Sequence, residues 1–284
     1  MNENKCFLTD LDGTLLRSDA SLSIYAKEVL TAAIEKGAVI SYATARSYLS
    51  SSRAVSSIPW KAPIILYNGA LIFDPIHQKV LDGQWLDREI ANMIIELGRG
   101  YQLVPLLFSL DNEDNEQVLH EKLYKIGDVS FYNSRPNDPR FQEVEQLSCP
   151  ETHRTLIITY IGLLEDLLAL KKRISEEYGD QVLVHMMKDN YIKDHYFLEF
   201  SHPKANKAEG AKLWAELVGH SLSEISVFGD NLNDVGMFEA AGKSIAVANA
   251  HERLIELADQ VISTNDEDAV ARYISEQMTA TNCN

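Results

Sequence analysis

The chain has 284 residues, 45% hydrophobic and 24% charged, the proportions of a globular protein rather than a disordered, fibrous or membrane one, and its length suits two domains or one with a large insertion. Its formal charge of −16 repels phosphodiester backbones at long range, so nucleic acid is not an expected partner. A small phosphorylated metabolite remains open, because a bound cation and a few basic groups can reverse the sign within one site.

Cys6, Cys149 and Cys283 are odd in number and lack metal-ligand spacing, so they read as reduced structural thiols. The N-terminus is too polar, and the apolar run after it too short, for a signal peptide. No stretch offers the roughly 20 apolar residues that span a bilayer. No membrane or protein partner is expected, and the location is expected to be cytoplasmic.

In chain order, Cys6 to Leu8 predicts a buried strand that ends abruptly in acidic residues and glycine. A helix capped by Ser21 runs to about Lys36. A second strand, Ala38 to Ala43, ends at Thr44; a helix follows from Arg46 to about Ser57, then a third strand from Ile64 to Tyr67. Alternating strands and helices predict a parallel sheet covered on both faces. Ala70 to about Leu81 changes to a hairpin pattern around Asp74 and Pro75. Between Gly83 and about His195, helices at Glu89 to Arg99 and Leu163 to Tyr178 mix with strands at Leu103 to Phe108, Leu156 to Tyr160 and Val182 to His185. This segment predicts a separate α+β insert.

The alternation returns after Pro203, with helices at Asn206 to Val218 and Asp234 to Ala241 and strands at Ile225 to Phe228 and Ser244 to Val247. A helix near Glu252 to Leu257, a strand at Gln260 to Ile262 and a helix from Asp266 to Gln277 complete the pattern, and the tail from Met278 is expected to fray. There is no internal repeat. The expected organisation is a Rossmann-like α/β core, residues 1–82 and 202–284, with an α+β cap at residues 83–201 inserted into it.

Two acidic motifs fall at ends of predicted core strands, the edge where open α/β sheets bind ligands. One is Asp10-Leu11-Asp12-Gly13-Thr14. The other is Gly229-Asp230-Asn231-Leu232-Asn233-Asp234. Taken singly, the first could be an Asp-Gly turn, although Thr14 stands where a calcium loop needs an oxygen ligand from Asp or Asn. Asp234 could be a plain helix cap, but capping does not account for Asp230 or the two asparagines. Four carboxylates at one edge repel one another unless a divalent cation neutralises them, and an oxygen-only donor set suits Mg2+.

Phosphoryl transfer also needs donors and a fixed positive charge. Thr44 lies just before a helix, where its hydroxyl and the following amides can meet a phosphate, or where it caps that helix. Lys207 opens a helix, a costly position for a cation unless an anion is near; a solvated surface lysine, or Lys204 in its stead, is the competing reading. Arg46, Trp85 and Tyr191 read more simply as surface or packing residues, and the eight histidines show no paired ligand spacing.

Together, Asp10-Leu11-Asp12-Gly13-Thr14-Leu15, Thr44-Ala45-Arg46, Asn68-Gly69-Ala70, Lys207 and the Gly229–Asp234 motif resemble the haloacid dehalogenase superfamily of aspartate-nucleophile phosphatases, in its Cof-type sugar-phosphatase branch with a large inserted cap. The resemblance spans nearly the whole chain. It implies that Asp10 is the nucleophile and Asp12 the general acid and base; that Asp10, the backbone carbonyl of Asp12 and Asp230 hold Mg2+, with Asp234 orienting its waters; and that Thr44, the amide of Ala45, Lys207 and Asn233 bind phosphoryl oxygens.

It further implies a phosphatase of sugar phosphates or similar metabolites whose cap excludes water and selects the leaving group. A phosphomutase, a phosphotransferase or a non-catalytic phosphosugar-binding protein would use the same motifs. Ala45 and Ala208 depart from the family's usual glycines. If the phosphate loop requires a positive φ at position 45, an alanine there distorts it.

Overall fold

The computed structural model describes residues 5–189 and 192–280. Tyr191 and Cys283 lie outside them. By internal packing the chain forms two compact units, Met1–Gly83 with Asn206–Asn284, and Gln84–Ala205. The second unit begins at Gln84 rather than Gly83 and ends at Ala205 rather than Ser201.

The first unit opens with β1 (Cys6–Thr9), α1 (Ile24–Glu35), β2 (Val39–Tyr42), α2 (Tyr48–Val55), β3 (Ile64–Leu66), β4 (Leu71–Asp74) and β5 (Lys79–Gly83). The second unit contains α3 (Arg88–Gly100), β6 (Leu106–Leu110), β7 (Glu116–His120), α4 (Ile126–Asn133), β8 (Phe141–Glu143), β9 (Arg154–Leu163), α5 (Leu164–Tyr178), β10 (Leu183–Lys188) and β11 (His195–Ser201). The chain then returns to the first unit through α6 (Lys207–Val218), β12 (Ile225–Gly229), α7 (Val235–Ala240), β13 (Lys243–Val247), α8 (Glu252–Leu257), β14 (Gln260–Ile262) and α9 (Ala269–Ala280).

The core sheet is wholly parallel, in the order β14-β13-β12-β1-β2. Its central strands are apolar on both faces, as parallel strands covered by helices must be: Leu8, Val227, Ile245 and Ala246 are fully buried. Trp214 of α6 and Met237 and Phe238 of α7 pack with Leu8 and Val227 in one cluster. Ser23, not Ser21, caps α1, its hydroxyl accepting from the Ala26 amide at 2.8 Å.

β3 is not a full member of this sheet. It joins β2 through a single bridge, Ala43 to Ile65, and otherwise pairs antiparallel with β4 in a small β3-β4-β5 sheet. The cause is local: Tyr67, Asn68 and Gly69 all take positive φ, and that turn reverses the chain after three strand residues.

The inserted unit is a six-stranded sheet, β10-β11-β9-β6-β7-β8, antiparallel except where β7 meets β8. Leu107, Ile158, Leu198 and Phe200 form one sheet face, packed on Ile94 and Ile95 of α3 and Leu167, Leu170 and Ile174 of α5. Leu106, Ile161, Phe197 and Phe108 face the other way, toward Phe131 of α4. β7, α4, β8 and β11 were not among the predicted elements. A parallel-sheet core with an inserted α+β unit is nevertheless the architecture expected from the sequence.

Candidate active site

Strand register brings the motifs together. Thr9 of β1 pairs with Phe228 of β12 and with Tyr42 of β2, so Asp10, Asp230 and Thr44 all follow the carboxyl ends of adjacent strands. The Asp10 amide donates to Phe228 O at 2.9 Å, and the Thr44 amide to Ile65 O at 2.9 Å. Gly13 turns the chain after Asp12 at φ +75°, and a Cβ there would lie 2.5 Å from Asp230 Oδ2, so only glycine satisfies both the turn and the approach. Gly229 permits a second approach: its Cβ would fall 2.7 Å from Asp234 Cβ.

Asp10, Asp230 and Asp234 each present an oxygen within 4.8 Å of the other two. Lys207, buried at 1% exposure, donates through Nζ to Asp10 Oδ1 at 2.5 Å and to Asp234 Oδ1 at 2.7 Å. It is neither a solvated surface group nor replaceable by Lys204, which is exposed. Asp234 accepts at Oδ2 from the amides of Asp230 and Asn231, both at 3.1 Å, so it does more than cap a helix. Thr14 donates through its hydroxyl to Asp230 Oδ1 at 3.0 Å.

Burial pushes the Asp10 carboxyl well above the carboxylate range; Lys207 pulls it down, while Asp234 and Asp230 push it up. Asp230 rises to about 6, chiefly through burial and then through Asp234. Burial lowers Lys207, but the two carboxylates outweigh it and hold the ammonium above its ordinary range. One buried cation thus faces three acids. This is a net negative, oxygen-only donor set of the kind that takes a hard divalent cation.

The remaining expected residues are placed as follows. The Asp12 side chain stands apart from the three-acid group and pairs with Arg46, which donates through Nε to Oδ2 at 2.7 Å and through Nη2 to Oδ1. Thr44 is buried and its hydroxyl accepts from the Arg46 amide at 3.2 Å. Ala45 is exposed and is not among the residues with positive φ, so alanine fits this loop without the distortion a positive φ would impose. Asn233 donates to Asn68 Oδ1 at 3.0 Å. Trp85 carries the Arg154 guanidinium 5.0 Å from its ring centre, a packing role.

Sequence reasoning assigned no part to Asn68, Asn249 or Thr14. Asn68 sits in the left-handed region at φ 54°. Asn249 donates to Gly13 O at 2.8 Å and accepts from the Asn265 amide at 3.0 Å, tying the Asp10 loop to the turn after β14. Nothing local in the sequence marks Asn249; Asn68 and Thr14 lay within motifs but carried no charge to draw attention.

A family model described as haloacid dehalogenase-like hydrolase matches residues 7–274. The chain belongs to that family. Hydrolases of this family generally use a divalent metal. Among relatives of this haloacid dehalogenase-like chain, phosphatase YwpJ of Bacillus subtilis is 29% identical, over 95% of this chain and 98% of that protein. The 5-amino-6-(5-phospho-D-ribitylamino)uracil phosphatase YitU of the same organism is 24% identical, over 94% and 95%. Pyridoxal phosphate phosphatase YbhA of Escherichia coli is 25% identical, over 93% and 95%. A crystal structure from Thermotoga maritima superposes with a TM-score of 0.77 at 26% identity, covering 96% of this chain and 97% of that one. The Cof-type phosphatase resemblance read from the motifs is borne out, and among the described residues no helix is long and apolar enough to cross a membrane.

Proposed function

We propose that this chain is a Mg2+-dependent phosphomonoesterase acting on sugar phosphates or similar small phosphorylated metabolites through an aspartyl-phosphate on Asp10. The observation that carries the reading is the pairing of Asp10 with Lys207 inside a three-acid group, while Asp12 lies outside that group on the same loop. Two acids in such different surroundings suit two different tasks. The named relatives, all phosphatases, support the same class.

The donor chemistry fits a magnesium ion held by Asp10, Asp230 and the backbone carbonyl of Asp12, with Asp234 acting from outside through water. When bound, the ion neutralises charge on the phosphoryl oxygens. The protein groups do the rest. Asp10 Oδ attacks phosphorus and the ester P–O bond breaks, while Asp12 gives its proton to the departing alkoxide. Asp12, now a carboxylate, takes a proton from water; the hydroxide attacks the aspartyl-phosphate, the P–O bond to Asp10 breaks, and inorganic phosphate leaves. Lys207, Thr44, the Ala45 amide and Asn233 hold the phosphoryl oxygens through both displacements. Asn233 exchanges its bond to Asn68 for a phosphoryl oxygen, and Lys207 keeps Asp10 oriented between turnovers.

The test is phosphate release from p-nitrophenyl phosphate and a panel of sugar phosphates, with Mg2+ or EDTA, for wild type and Asp10→Asn. Release by wild type that EDTA and the substitution both abolish supports the reading. Full release by Asp10→Asn, or none by wild type from any compound, overturns it.

A further inference from the structure

Arg46 is tied to Asp12 by more than a chance surface contact. Its Nε donates to Oδ2 at 2.7 Å and its Nη2 to Oδ1, so one planar fork occupies both carboxylate oxygens. Such a pair fixes the plane of the carboxylate as well as its position. Its backbone is anchored on both sides: the Arg46 amide donates to Thr44 Oγ1 at 3.2 Å and its carbonyl accepts from the Tyr67 amide at 3.1 Å. The guanidinium therefore springs from a fixed loop that also carries Thr44. The Asp12 loop is fixed in turn by the Asn249 bond to Gly13 O and the Thr14 bond to Asp230.

Stability does not explain the arrangement. The Asp12 side chain is 52% exposed, and an ion pair so exposed adds little to stability. The alternative account is orientation. A carboxyl group that must hand a proton to one oxygen and take one from another works only if it points along the right line, and general acid–base help of this kind is worth about 10²–10⁴-fold when it does.

We propose that Arg46 is the positioning residue for Asp12. Before the first displacement Oδ1 leaves Nη2 and takes a proton from solvent, while Nε keeps its hold on Oδ2 as a pivot, and that proton then passes to the leaving oxygen. In the second displacement the same oxygen takes the proton of the attacking water, releases it to solvent and returns to Nη2. The inference rests on the phosphatase reading above and adds a residue to it.

The test separates proton delivery from general damage by comparing kcat/KM for p-nitrophenyl phosphate, whose phenolate leaves without a proton, with kcat/KM for a sugar phosphate, whose alkoxide does not. kcat/KM reports the step that releases the alcohol. For Arg46→Ala the sugar phosphate is expected to fall about 10²-fold, with the ratio of the two values changing at least about tenfold. Arg46→Lys, which keeps the charge but loses the fork, should recover part of the ratio. Asp12→Asn should show the same preference, and adding Arg46→Ala to it should cost nothing further, because a positioning residue has no effect without the group it positions.

Equal falls for both substrates, or a double variant markedly worse than Asp12→Asn, would overturn the role of Arg46 while leaving the phosphatase reading intact. Inactivity of the wild type on every substrate would overturn both.

Discussion

Replacing Lys207 with Met tests whether the site is held together by charge. Methionine keeps most of the buried stem and removes only the ammonium, so the change is electrostatic rather than a cavity. In the native protein Lys207 lies between Asp10 and Asp234, and all three are buried. Removing one partner of a buried ion pair costs about 3–5 kcal/mol, because the charge left behind has no compensation. Two carboxylates are stranded here, but the cost does not double. Asp10 is already pushed well above the carboxylate range with the lysine present, so in its absence Asp10 takes up a proton.

The sign follows from that direction. A carboxyl whose folded-state pKa is raised destabilises the fold only where the unfolded chain ionises, so the loss is full at high pH and shrinks as pH falls. The expected loss is about 3–5 kcal/mol at pH 8, a drop of about 6–20 °C in midpoint at about 2–4 °C per kcal/mol, and it narrows toward pH 5. Tryptophan fluorescence is a suitable probe, since Trp60 and Trp214 belong to the core unit and only Trp85 to the insert. A midpoint within about 1 °C of wild type at pH 8, or a larger loss at pH 5 than at pH 8, would refute the reasoning.

Gly13→Ala forces a side chain into φ +75° and to within 2.5 Å of Asp230; a loss of about 1–2 kcal/mol from the backbone alone, with weakened Mg2+ dependence of turnover, is expected from denaturation curves and metal titrations. Metal-free protein should gain stability as pH falls from 8 toward 5, because Asp230 is raised to about 6 by burial and by Asp234; excess Mg2+ should flatten that slope, and a slope unchanged by Mg2+ would argue against metal binding at this cluster. In the insert, burial raises Glu199 from 4.5 to about 7, although its side chain keeps partial contact with solvent. Its contribution is therefore complete below pH 4.5 and lost as pH rises through 7, so Glu199→Gln should leave stability at pH 5 unchanged and raise it at pH 8 by about 1–2 kcal/mol, less than the ~3 kcal/mol that full burial would give, as read by urea unfolding at both pH values.

The core was legible because its central strands end in a chemical event. Cys6 to Thr9 stops at Asp10 and Ile225 to Phe228 stops at Gly229-Asp230, so buried runs and their boundaries could be seen without any partner. The insert gives weaker local signals. Pro105 has no amide to donate to a ladder, and β6 begins after it, at Leu106, rather than at Leu103. In β11 the half-buried Glu199 sits between buried Leu198 and Phe200, interrupting the apolar run that would have marked a strand. Both faces of that sheet carry helices in places, so the two-residue alternation expected of a one-sided sheet is lost.

The site divides along the same line, between what charge announces and what geometry alone reveals. Carboxylates at strand ends and a lysine at a helix start are anomalies that need a partner, and each finds one: Lys207 meets Asp10 and Asp234 because a cation there would otherwise face the positive end of α6. Arg46 posed no such anomaly, since an arginine near a helix start is easily satisfied by water. Only the fold brings it to Asp12, thirty-four positions away in the chain. A sequence therefore shows which residues must be satisfied more readily than which residues do the satisfying. The Arg46 variants test a member of the second kind: if the leaving-group ratio moves with Arg46, the positioning of Asp12 depends on a residue whose own chemistry gave no reason to look for it.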